Sequence, residues 1–91
     1  MTVGLLFDGI GVSQAQYEQV LNEVTNNGTA EPSAGFLTHH AGPTEGGFCV
    51  IETWESAESL QAFYETKLRS ALAAAGIQVK PRIFEIVNSV P

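Results

Sequence analysis

His39 and His40 are the only histidines in the chain, and Glu52 sits on the next strand-like run. An imidazole changes charge near neutral pH, so it suits proton transfer. A carboxylate beside it fixes its orientation and makes it a better base. Adjacent residues of a strand point to opposite faces, so the two histidines cannot share a substrate or a metal. The hairpin register decides which of them meets Glu52. If Gly42 pairs with Gly47 across a four-residue loop, His39 lies opposite Val50. Glu52 then stands on the same face, diagonal to His39 and opposite Leu37, with Phe48 and Trp54 beside it. A slip of one residue would exchange His39 for His40. The expected catalytic pair is therefore His39 and Glu52. The competing reading is a structural hydrogen bond in a half-buried sheet.

Trp54, Phe63, Tyr64 and Tyr17 are the aromatic residues expected to line a substrate pocket between helix and sheet. Core packing is the favoured reading of Phe63, whereas Tyr64 and, similarly, Tyr17 carry hydroxyls that need partners if buried and are the better pocket candidates. Metal binding is not expected: one His and one Glu give two ligands where most sites need three or four. No cofactor is expected either. Gly9-Ile10-Gly11 lacks the third glycine of a dinucleotide loop, because Gln14 stands in its place. No serine has the sharp strand-to-helix elbow of a nucleophile.

The elements that must hold these residues follow from the hydrophobic pattern. Thr2 to Asp8 reads as a strand ended by Asp8-Gly9. Ser13 opens a helix with Gln16 completing a capping box, and Tyr17, Val20, Leu21 and Val24 give it one apolar face. Gly28 stops it. Gly35 to Gly42 and Gly47 to Trp54 read as strands around a Pro43–Gly46 turn. Ser56 caps a second helix, which runs to about Ala75. Its stripe is Leu60, Phe63, Tyr64, Leu68, Ala71, Leu72 and Ala75, and Gly76 ends it. Pro81 to Val90 reads as the last strand.

The order βαββαβ over residues 1–91 predicts a single α+β domain of the ferredoxin-like type. Right-handed crossovers put both helices on one face of a four-stranded antiparallel sheet. The other face stays bare, yet each parity of the strands carries Val, Leu, Ile or Phe. Such a face calls for a partner, and a second copy packing sheet to sheet is the simplest one, which predicts a homodimer.

Composition narrows the partners further. Apolar residues make up 44% of the 91 positions and charged residues 15%, so the chain folds rather than staying disordered. Ten carboxylates against four basic residues give a net charge of −6. Nucleic acid and anionic membranes are repelled by that balance. The lone Cys49 forms no intrachain disulfide, which fits a reducing compartment. No stretch is long and apolar enough to span a bilayer. Met1 to Asp8 has no basic leader pattern, so a cytoplasmic location is expected.

Trp54-Glu55-Ser56-Ala57-Glu58-Ser59-Leu60 resembles the W-x-S-x-x-x-[LF] stretch at the third-strand/second-helix junction of the antibiotic biosynthesis monooxygenase-like family. That family belongs to the dimeric α+β barrel superfamily, and its element order matches nearly the whole chain. The hairpin from His39 to Gly47 is similar to a small subgroup without an assigned reaction. The resemblance implies a cofactor-independent oxygenase or isomerase acting on a small aromatic compound. The alternative is a non-catalytic dimer that binds a small apolar ligand or a protein partner. The chain departs from the pattern where many members carry a His nine residues after the junction Trp; here that residue is Phe63. No His follows His40, so the haem-degrading branch and its helix-2 ligand are not expected.

Overall fold

The computed structural model describes residues 1–91. It contains β1 (Val3–Ile10), α1 (Gln14–Val24), β2 (Phe36–Thr44), β3 (Gly47–Trp54), α2 (Ala57–Phe63), a π-helical turn (Tyr64–Leu68), α3 (Arg69–Ala74) and β4 (Arg82–Glu85). The strands form one sheet in the order β2-β3-β1-β4, and every neighbouring pair is antiparallel. This is the expected ferredoxin-like α+β fold, with the helices covering one face.

Capping chemistry sets the helix starts. Ser13 Oγ accepts from the Gln16 amide, while Gln16 Oε1 accepts from the Ser13 amide at 2.9 Å. Ser56 Oγ accepts from the Ser59 amide at 3.1 Å. The second helical segment is not regular. The Arg69 amide bonds to the Tyr64 carbonyl, five residues back, so the chain makes one wide π turn before α3 resumes.

Three boundaries differ from those read in the sequence. The hairpin turn is two residues long, Glu45-Gly46, because Thr44 already pairs with Gly47. Gly46 takes φ +83°, a conformation that side-chain-bearing residues rarely adopt. Pro43 thus lies within β2 rather than in the turn. β2 is an edge strand, where a missing N–H is tolerated. Second, β4 stops at Glu85, far short of Val90. Glu85 pairs with Val3, the first residue of β1, so the partner strand runs out there. Third, β1 continues through Gly9 and Ile10, which pair with Phe48 and Gly47.

The core lies between sheet and helices. Leu5, Phe7, Phe48, Val50 and Trp54 rise from the sheet to meet Val20, Leu60, Phe63 and Leu72. Trp54 and Leu60 are the most enclosed of the large side chains. Trp54 stacks edge-on with Phe36 at 5.5 Å and tilted on Phe63 at 4.9 Å. No helix is long and apolar enough to cross a membrane.

Candidate functional site

The helical layer does not close fully on the sheet. A cavity of about 350 Å³ opens between them, within the size range of small-molecule sites. Its floor is Leu5, Phe7, Phe48 and Val50 of the sheet, and its walls include Val20 of α1 with Phe63 and Leu72 of the second helical segment. The walls are mostly apolar, and few polar side chains interrupt them.

Tyr17, His39, Glu52 and Trp54 among them form one hydrogen-bonded chain. His39 pairs directly with Glu52 across β2 and β3, and its Nδ1 lies 2.6 Å from Glu52 Oε2. The Trp54 indole N–H donates to the other carboxylate oxygen, Oε1, at 3.0 Å. Glu52 and Trp54 are two apart on one strand, so they share its inner face. On the far side of the imidazole, His39 Nε2 is 2.6 Å from the Tyr17 hydroxyl. Tyr17 is carried by α1, one turn past its cap, and stacks on Phe48 at 4.7 Å. Glu52 is buried and His39 half-buried.

The partners dictate where the protons sit. An ionised Glu52 only accepts, so the proton between it and His39 rides on Nδ1. In the neutral imidazole Nε2 is then an acceptor, and the Tyr17 hydroxyl donates to it. When His39 takes up a proton, Nε2 becomes a donor to the Tyr17 oxygen. The phenolic hydrogen is then free to turn away from the ring. One proton entering the chain therefore reverses the hydroxyl. Tyr17 itself resists ionisation: burial, and after it the Glu52 charge, hold its phenol above the ordinary value of 10.0.

The expected site residues separate as follows. His39, Glu52, Trp54, Phe63 and Tyr17 all border this cavity. Tyr64 does not; it borders a smaller hollow with Gln61, Lys80, Pro81 and Ile83. Successive helical residues turn about 100° apart, so Phe63 facing inward carries Tyr64 round to the β4 side. His40 is exposed on the open sheet face, opposite Ile51. The register differs by two residues from the expected one, so His39 meets Glu52 directly and not Val50. Leu37 is not opposite Glu52, because His39 holds that place, and a bulge between Phe36 and Thr38 leaves Leu37 out of the pairing altogether. Two features were not foreseen. The Tyr17–His39 bond depends on how α1 lies over β2, which no local pattern encodes. The Trp54–Glu52 bond had a signal in the i, i+2 spacing. No three His, Cys, Asp or Glu side chains converge as a metal site would require.

No protein-family model matches the sequence, and no curated protein does. Solved structures match along almost the whole chain. A heme-degrading protein from Mycobacterium tuberculosis, Rv3592, is 26% identical, with TM-score 0.62 and full coverage of both chains. SnoaB, a cofactor-independent oxygenase from Streptomyces nogalater, is 14% identical with TM-score 0.61, covering 99% of this chain and 94% of its own. A candidate antibiotic biosynthesis monooxygenase from Caulobacter crescentus is 23% identical with TM-score 0.61, covering 99% and 89%. As the residues around Trp54 implied, the chain has the fold of the antibiotic biosynthesis monooxygenase-like proteins.

Proposed function

We propose that this protein is a homodimeric, cofactor-independent oxygenase or isomerase for a small aromatic compound, acting in the cytoplasm. The observation that carries the reading is the imidazole of His39, hydrogen-bonded at both nitrogens, on the wall of an apolar cavity. His39 is the base and Glu52 orients it. Because Tyr17 occupies Nε2, a substrate proton passes to the Tyr17 oxygen as the hydroxyl proton moves to His39. The carbanion or enolate left behind has two fates. It is reprotonated at another carbon, which is isomerisation. Otherwise it meets dioxygen: an aromatic CH2 group and O2 give C=O and water, with all electrons drawn from the substrate. The apolar walls exclude water from this step.

Haem, which the similarity to Rv3592 raises, does not fit these residues. Both nitrogens of His39 are engaged, and His40 lies on the opposite face of the sheet.

The test is oxygen uptake with anthrone, a fused-ring ketone with an acidic CH2, in the absence of metal and flavin. Turnover should fall about 10²-fold or more in His39→Gln, the usual scale for losing a general base. Binding of anthrone without turnover in the wild type would favour the non-catalytic ligand-binding dimer instead.

A further inference from the structure

Lys67 borders the cavity from the π turn, and its ammonium has no partner. The two ion pairs of the molecule are His39–Glu52 and Arg69–Glu65, and the side-chain bond at Lys67 is the Ser70 hydroxyl donating to its backbone carbonyl at 3.3 Å, which leaves the ammonium unengaged. We infer that Lys67 receives an anionic group of the cavity's ligand, so that the site selects aromatic acids over neutral aromatics. This rests on the reading of the cavity as the substrate site.

Lys67 follows Phe63 by four residues, a spacing that shares one helix face, and the π turn adds Leu68 to the same wall. In a regular α-helix, residues five apart diverge by about 140°. The wide turn, closed by the Arg69 amide on the Tyr64 carbonyl, brings Phe63 and Leu68 onto the same cavity wall with Lys67 between them. Such insertions are frequent at functional sites. Lys67 is half-buried at the edge of the apolar lining, a setting in which a lysine stem packs on apolar surface and keeps its ammonium toward water.

The charges around it leave this role open. Glu52, one of the two acids bordering the cavity, is already held by His39 and Trp54. Glu31, the other acid bordering the cavity, lies on the exposed loop before β2 and makes no ion pair with Lys67. The net charge of −6 opposes anions at long range. That opposition is screened beyond about 8 Å at physiological salt, whereas a contact inside a half-dry pocket is screened far less. A ligand built to match therefore has an apolar ring system in the cavity and a carboxylate at its mouth.

The experiment compares 2-naphthoate with 2-naphthamide, a neutral analogue of the same shape, by calorimetry. Wild type should bind the naphthoate roughly tenfold tighter or more, the scale of one charge-assisted hydrogen bond. Lys67→Gln should remove that preference and leave naphthamide affinity unchanged, and Lys67→Arg should keep it. Equal affinities in the wild type, a preference that survives in Lys67→Gln, or no binding of either compound would overturn the inference. Anthrone turnover is measured separately, so it stands or falls without reference to Lys67.

Discussion

His39 Nε2 and the Tyr17 hydroxyl lie 2.6 Å apart, so the imidazole reaches the cavity only through the phenol or by breaking that bond. The tautomer of His39 follows from this and from Glu52. Nitrogen-15 NMR of the neutral ring should show the proton on Nδ1 and a bare, hydrogen-bonded Nε2. In Tyr17→Phe the Nε2 resonance should move while Nδ1 stays protonated. In Glu52→Gln the preference for the Nδ1 proton should weaken, because an amide can donate as well as accept. An Nε2-protonated ring in the wild type would contradict the chain of bonds.

Tyr17 gives a prediction for alkaline pH. Its folded value lies above the ordinary 10.0, chiefly through burial and secondly through Glu52. Between those two values the folded state binds the phenolic proton and the unfolded state does not. Stability from this group is therefore complete below about pH 10 and is lost as pH rises through the folded value. Urea unfolding should show that decline in the wild type and a shallower one in Tyr17→Phe. Glu52→Gln should let Tyr17 ionise earlier, though still late, since burial remains.

Trp54→Ala should destabilise by about 3–5 kcal/mol, as large aromatic truncations in cores do. Trp54 is 1% exposed and touches both Phe36 and Phe63. Its loss also leaves Glu52 Oε1 without its donor. Chemical denaturation measures the change, and a loss below about 1 kcal/mol would place Trp54 outside the core.

The architecture was legible because element order and capping are local. Ser13-Gln16 and the alternation of β3 sufficed for α1 and for the inner face. The register was off by two residues, and the face assignment survived for a simple reason. A two-residue shift preserves strand parity, whereas a one-residue shift reverses it. Pro43 misled because proline more often marks a turn than an edge strand. Tyr64 misled because an apolar stripe does not tell which neighbour lines a cavity and which packs beside it. The Tyr17–His39 bond arises from packing between elements distant in sequence, so no motif announced it.

Haem should not bind. The fold is shared with a heme-degrading protein, but His39 has no free nitrogen to offer iron. Titration with hemin should give no saturable Soret shift. Stoichiometric binding that disappears in His39→Ala would mean that iron displaces Tyr17 or Glu52.

The open face of the sheet supports a prediction about assembly. Leu6, Ile51 and Phe84 share this face, and Ile51 and Phe84 are each about half exposed. The ring of Phe84 lies over Gly4, against the space any larger side chain there would fill. Past Glu85 the chain leaves β1, and Val87 and Val90 are almost fully exposed. Apolar groups in water on this scale are unfavourable for a lone chain, and a second copy packed sheet to sheet removes them. The interface should bury more than roughly 1,000 Å² in total. The site chain of Tyr17, His39 and Glu52 faces the helices, so it remains accessible in such a dimer. Light scattering at micromolar concentration should return twice the 9.7 kDa chain mass. Ile51→Glu puts an unpaired charge on this face in both copies and should shift the protein to monomer. Its inner-face bonds are untouched, so the Tyr17–His39–Glu52 signals should persist in the NMR spectrum. A monomeric wild type, or an Ile51→Glu variant that stays dimeric, would show that this face is not the interface.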